Sequence, residues 1–201
     1  MDSRTCHYIP HHGVTKESST TPLRVVYDCS CRKTSDHPSL NNCLTTGPPL
    51  LNELNAILIR FHQLKYGLAA DIEKAFLNIV LDEEDCDVTR FFWLSDPNDP
   101  TSIFNVYWFK RILFGASSSP FILNATLDKH FKQFSDPVAE RICEDIHVDD
   151  LVSGAQDDDG AVSFYTKARS LMTPGGFNLR SWTSIQQPCG QDDRSERKFI
   201  E

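Results

Sequence analysis

Ile146-His147-Val148-Asp149-Asp150-Leu151-Val152 sets two adjacent carboxylates inside an apolar run. In such company each acid has to stay solvated, take a proton or bind a cation. A β-hairpin whose tight turn carries the acids meets that demand, because Asp tolerates the left-handed backbone that tight turns need. Further upstream, Tyr66-Gly67-Leu68-Ala69-Ala70-Asp71 reads as a buried strand that ends on a third acid, and Ile72-Glu73-Lys74-Ala75-Phe76 follows it. A turn with two carboxylates and a third from a neighbouring strand suits paired divalent cations, and oxygen-rich sites select Mg²⁺ or Mn²⁺. Two such ions can activate a 3′-hydroxyl and stabilise a leaving pyrophosphate.

The rest of the chain alternates hairpin and helix signals. Leu23-Arg24-Val25-Val26-Tyr27 reads as a strand by its β-branched and aromatic content. Leu50, Leu51, Leu54, Ile57, Leu58 and Phe61 recur at helical spacing behind Pro48-Pro49. Arg90–Leu94 and Ile103–Phe109 form two aromatic strands around an Asp96-Pro97-Asn98-Asp99-Pro100 turn, and their alternation predicts a half-buried sheet. Ser119-Pro120 reads as an N-cap and first-turn proline of a helix that reaches about Phe134. Asp157-Asp158-Asp159 caps another helix through Leu171, Pro174-Gly175-Gly176 stops it, and Phe177–Trp182 is a short strand. The fold class is therefore α+β.

Composition narrows the field. The 201 residues are 40% hydrophobic, enough for a real core, and contain no long apolar run of membrane-spanning length. The start of the chain lacks the apolar segment of a signal peptide. Seven scattered cysteines, an odd number, fit reduced thiols better than a disulfide framework. The net charge of −8 argues against a simple basic nucleic-acid binder. Residues 1–66 carry seven Lys/Arg against five Asp/Glu, whereas residues 67–201 carry thirteen against twenty-three, so the acidic load lies with the three site acids. Asp82-Glu83-Glu84-Asp85-Cys86-Asp87 reads as a solvated loop, and the His11-His12 region as a polar arm. Cys29, Cys31, His37 and Cys43 lack the spacing of a zinc knuckle or a Cys₂His₂ finger.

Six segments occur in a telling order: Leu23–Asp28, Ser39-Leu40-Asn41, Ala70–Phe76, Leu113-Phe114-Gly115-Ala116-Ser117-Ser118-Ser119-Pro120-Phe121, Val148–Leu151, and Gly175-Gly176-Phe177-Asn178-Leu179-Arg180-Ser181-Trp182. In that order the chain resembles the reverse transcriptase of LTR retrotransposons, most of all the BEL/Pao group, over roughly residues 8–185. The resemblance implies a polymerase palm, a ferredoxin-like antiparallel sheet with helices on one face, plus a small fingers subdomain. Fingers and the first palm helix would take residues 1–66. The palm would take 67–185, with a fingers insertion around 82–115, and 186–201 would be a polar, disordered tail.

The resemblance also implies roles. Asp71, Asp149 and Asp150 would be the catalytic carboxylates and the ligands of two Mg²⁺ or Mn²⁺ ions. Lys16 and Arg24 would hold the triphosphate, Arg through its planar fork. Phe76 would exclude a ribose 2′-hydroxyl, although an ordinary core role suits it as well. Phe114 and Gly115 would pass beneath nucleotide and template, and His147 would stack on the primer. Partners would be a primed RNA or DNA template, dNTPs and the other polyprotein domains (thumb, RNase H, integrase), with no membrane. The expected place is the cytoplasm, a virus-like particle or the nucleus, without secretion.

Two departures stand out. His147 replaces the Tyr usual before Val-Asp-Asp, and Ser181 replaces a Lys that would protonate the leaving pyrophosphate. Arg180, next to Ser181, is expected on the opposite strand face. With no thumb in view, the isolated chain is expected to extend primers feebly. A catalytically weak relic kept as a nucleic-acid or protein binding module is the alternative. Asp149-Asp150 taken alone would also suit a metal-dependent phosphohydrolase.

Overall fold

A computed structural model describes residues 6–15, 17 and 22–186, with the backbone of Glu196–Arg197. Lys16 and nearly all of the tail expectation lie outside the described residues. The chain forms two compact units, Met1–Gly47 with Ile79–Ser119, and Pro48–Asn78 with Pro120–Glu201.

The first unit holds two antiparallel pairs. β1 (His11–Thr15) pairs with β2 (Leu23–Tyr27), and β4 (Arg90–Leu94) with β5 (Phe104–Trp108). The expected polar arm is thus partly a strand. His11 is drawn in because its ring stacks on Trp93 at 5.1 Å and meets Tyr27 at 5.4 Å. A small core of Ile9, Cys29, Leu40, Leu113 and Ala116 lies against Tyr27, Leu44, Val88 and Phe109. Ser39 caps the short α1 (Leu40–Cys43) in a reciprocal box with Asn42. The acidic run is not a loop: Glu83–Cys86 is a helical turn, α3, capped by Asp82. Acids in a first turn meet the positive end of the helix dipole, and Cys86 turns inward. The β4–β5 hairpin is more open than alternation predicts, since Phe104, Tyr107 and Trp108 of β5 are all exposed.

The second unit is built on one antiparallel sheet in the order β6-β7-β3-β8-β9. Its strands are β3 (Tyr66–Ile72), β6 (Ile146–His147), β7 (Asp150–Ala155), β8 (Leu179–Gln186) and β9 (Glu196–Arg197). Leu68, Ala70, Ile72, Leu151, Leu179 and Trp182 are buried in it. Its helices are α2 (Leu54–His62), α4 (Ser119–Phe131), α5 (Pro137–Asp145) and α6 (Asp158–Met172). α6 packs against β7, β3 and β8, and α5 against α6 and β7. Leu123, Leu127 and Phe131 recur every fourth residue on the inward side of α4, so one face is buried. Each such side chain contributes about 1.5–3 kcal/mol on leaving water.

The helix ends are chemically marked. Asp136 and Asp157 accept from the backbone N–H groups of Val138 and Gly160 and so cap α5 and α6. Ser119 differs from expectation: its Oγ donates to the Leu113 carbonyl at 2.8 Å instead of accepting an N–H. It is itself the first residue of α4, so its hydroxyl satisfies a buried carbonyl before the helix. Gly176, at φ +76°, ends the turn after α6 in a left-handed conformation that glycine reaches without a Cβ clash. Among the described residues no helix is long and apolar enough to cross a membrane.

Candidate active site

Asp71 lies in β3, Asp150 begins β7, and the two are direct register partners. His147 pairs with Asp150 and Ile146 with Leu151, so Val148 and Asp149 are the two turn residues of the β6–β7 hairpin. The Asp149 carbonyl accepts from the Ile72 N–H at 2.8 Å, which ties the turn to β3. The left-handed residue of the turn is not an aspartate. Val148 takes φ +58°, a costly conformation for a β-branched residue, about 1–3 kcal/mol. The surroundings force it: Ile146 and Leu151 are buried on one side, and Ile72 holds Asp149 on the other.

Asn52 supplies a clamp that sequence reading missed. Its side-chain amide donates to the carbonyls of Cys143, at 2.6 Å, and Ile146, at 2.8 Å. Its own carbonyl accepts from Nδ1 of His147 at 3.2 Å, which puts the His147 proton on Nδ1. One residue therefore fixes the end of α5, the start of the hairpin and the His147 ring. An isolated Asn ahead of a helix carries no sequence signal for such a role.

Negative charge crowds the hairpin. Partial withdrawal from water, then Asp149 and Asp71, push the Asp150 carboxyl above its usual range, with His147 opposing. A carboxyl that holds its proton more tightly in the folded state stabilises the fold below its unfolded-state range. That contribution is lost as pH rises through the folded-state value. Asp150→Asn is therefore expected to raise the melting temperature at about pH 7 in EDTA and to leave it unchanged at about pH 3. A thermal melt at both pH values checks this, and excess Mg²⁺ should shrink the neutral-pH difference.

A cation joins the cluster. Arg180 Nε donates to Asp71 Oδ2 at 3.0 Å, and its Nη1 lies 3.8 Å from Glu73 Oε1. Asn178 donates from its side chain to Glu73 Oε2 at 3.1 Å, and its carbonyl accepts from the Glu73 N–H at 2.8 Å. Arg180 was expected on the opposite face, and a β-bulge overturns that. The β3–β8 register runs Ala69↔Thr183 and then Asp71↔Arg180, so three steps on β8 match two on β3. Ser181, at φ +54°, is where the backbone absorbs the extra residue. Continued without the bulge, the Ala69↔Thr183 register would set Ser181, not Arg180, opposite Asp71.

Phe76 is only 7% exposed, on a single 3₁₀ turn, Ala75–Asn78. In the first unit, the Arg24 guanidinium lies 5.8 Å from the centre of the Phe114 ring. Gly115 adopts φ +94°, and a Cβ there would sit 3.2 Å from the Tyr27 carbonyl, so glycine is required. Asn41 pins this loop: it donates to the Gly115 carbonyl at 2.9 Å and accepts from the Ser117 N–H at 2.8 Å. The structure thus groups Asp71, Asp149, Asp150 and His147 in the second unit, and Arg24, Phe114 and Gly115 in the first.

Among the described residues no three His, Cys, Asp or Glu side chains are set to hold a metal ion together. The donor chemistry nonetheless fits a hard divalent cation. The acids are oxygen ligands, they repel one another at Asp150, and part of Asp71 is engaged by Arg180.

The fold has clear counterparts among solved structures. Prototype foamy virus protease-reverse transcriptase, in its CSH mutant, superposes with a TM-score of 0.65 at 17% identity, over 98% of this chain and 24% of the viral one. The foamy viral protease-reverse transcriptase in complex with RNA/DNA hybrid gives 0.64 at 15%, over 92% and 23%. The dRH form in complex with ds DNA gives 0.65 at 16%, over 90% and 30%. The fold is that of a reverse transcriptase fingers and palm. This chain spans about a quarter of the length of those relatives. No protein-family model and no curated protein matches the sequence.

Proposed function

We propose that this chain is the fingers and palm part of an RNA-directed DNA polymerase from an LTR retrotransposon, of the BEL/Pao kind by its motifs. One observation carries the reading: Asp71 and Asp150 are register partners, with Asp149 in the adjoining turn and its backbone tied to β3. Phosphoryl transfer asks for positioned charge more than for covalent chemistry, and this arrangement offers it. Asp71, Asp149 and Asp150 would hold Mg²⁺ or Mn²⁺. Two such ions, when bound, supply the Lewis acidity that readies a primer 3′-hydroxyl and steadies a leaving pyrophosphate. His147, held by Asn52, would present its ring to the primer end. Arg24 would meet triphosphate oxygens, with Phe114 and Gly115 beneath the nucleotide. The solved relatives in complex with RNA/DNA hybrid and ds DNA support a primed template as partner.

Phe76 provides the test. A ring beneath the sugar would clash with a ribose 2′-hydroxyl and spare deoxyribose. Overpacking of that kind costs about 1–3 kcal/mol, a measurable but finite preference. The assay is primer extension with dNTPs or rNTPs by the chain joined to the thumb segment of a structural relative. The parent should incorporate dNTPs, and Phe76→Val should admit ribonucleotides while still melting cooperatively. No extension by the joined parent would defeat the polymerase reading. An unchanged sugar ratio in a folded variant would return Phe76 to the core. Ser181 favours a second reading, a weak or inactive relic that binds nucleic acid, because its hydroxyl is no acid at neutral pH. Template binding without extension would support that reading.

A further inference from the structure

Arg180 has no place in the roles above, yet its guanidinium donates to a site carboxylate, Asp71. Resting on the proposed function, we infer that Arg180 is a built-in counter-ion of the site. Its guanidinium takes the Asp71 carboxylate in the cation-free state, and a divalent cation binds Asp71 only by displacing it.

Three independent observations support the inference. The first is the ion pair itself, Nε to Oδ2 at 3.0 Å, with Nη1 extended toward Glu73. The second is the bulge. Ser181 adopts a left-handed φ that no glycine eases, and that strained step is what sets Arg180 opposite Asp71. A register that ran on without it would leave Asp71 facing a neutral serine. The third is that Asp71 and Asp150 are register partners with Asp149 in the adjoining turn, yet no three acids among the described residues are set as a metal cage. Oδ2 of Asp71 points along the Arg180 bond, so one of its two oxygens is already committed.

Displacement is physically feasible. The Arg180 side chain is 47% exposed and that of Asp71 is 29% exposed, so water screens the pair and can take up the released guanidinium. Once released, Arg180 still has Glu73 within reach, which gives it a second resting place on the same strand end. A positive charge so close to a cation site weakens cation binding by simple repulsion, and its removal should strengthen binding by about tenfold. Arg180 acts through Asp71, so it is a positioning residue.

The experiment is Mn²⁺ binding to the 201-residue chain, read by the loss of free-ion EPR signal, for the parent, Arg180→Gln, Arg180→Lys and Arg180→Gln with Asp71→Asn. Arg180→Gln should bind Mn²⁺ about tenfold more tightly, Arg180→Lys should lie between it and the parent, and the double variant should lose the gain. In parallel, ¹⁵N spectra of the parent should show the Arg180 Nε–H resonance shift on titration with Mg²⁺. Circular dichroism confirms that each variant is folded. Equal Mn²⁺ affinity for parent and Arg180→Gln would overturn the inference and leave the carboxylate site standing. A gain that survives Asp71→Asn would also overturn it, because the effect would not run through Asp71. No binding by any folded variant would overturn both the inference and the metal-dependent function.

Discussion

Asp149→Asn is expected to lower the rate of primer extension by at least about a thousandfold, the equivalent of roughly 4 kcal/mol of transition-state stabilisation. Asp149 sits in the two-residue turn, and its carbonyl is fixed by the Ile72 N–H. Its carboxylate is thus carried on backbone that neither hairpin strand nor β3 can shift alone. The amide keeps the shape and removes the charge, so the fold should survive while the electrostatic stabilisation is lost. Asp150→Asn should do less harm, because the repulsion from Asp149 and Asp71 already works against its charge. The measurement is single-nucleotide extension with the thumb-joined protein in Mg²⁺ and in Mn²⁺, beside a thermal melt. Extension by Asp149→Asn within tenfold of the parent would remove Asp149 from the site.

The largest stability effect is expected behind the hairpin. Asp145 is 3% exposed and is the last residue of α5, where the helix dipole disfavours an acid. Arg60 Nε lies 2.9 Å from one of its oxygens, and Arg141 Nε lies 3.5 Å from the other. Replacing both arginines by Met keeps the aliphatic stems and leaves a buried, unpaired carboxylate. That should cost about 3 kcal/mol, at the low end for a broken buried pair because both arginines are partly in water. Asp145→Asn placed on the double variant should recover much of the loss. Urea unfolding of the three proteins gives the result. Because Ile146 follows Asp145 directly, the unrescued variant should also loosen the β6–β7 hairpin. A loss confined to about half a kilocalorie would mean that the carboxylate is not effectively buried.

Local chemistry in the sequence was enough for the elements that carry the site. β-Branched and aromatic content placed β2, aromatic content placed β4, an apolar run ending on an acid placed β3, and the acid-bearing run placed the hairpin of β6 and β7. Capping aspartates marked the start of α6, and Pro174-Gly175-Gly176 marked its end. These features are legible because propensity, caps and burial pattern are properties of a few neighbouring residues.

Pairing across the sheet was not legible in that way. The bulge at Ser181 moves Arg180 to the face of Asp71, and a single strand read alone cannot reveal an extra residue against its partner. The positive φ of Val148 likewise contradicts local preference, and the packing of Ile146 and Leu151 and the Ile72–Asp149 bond hold it there. Asn52 and Asn41 gain their roles from carbonyls far away in the chain, so nothing near them announces a clamp. The His11 strand depended on aromatic neighbours supplied by β2 and β4. By itself the sequence marked the three acids of the candidate site and the elements that carry them. Only the tertiary structure decided that Arg180 faces Asp71, because strand register and side-chain reach arise when distant segments pack together.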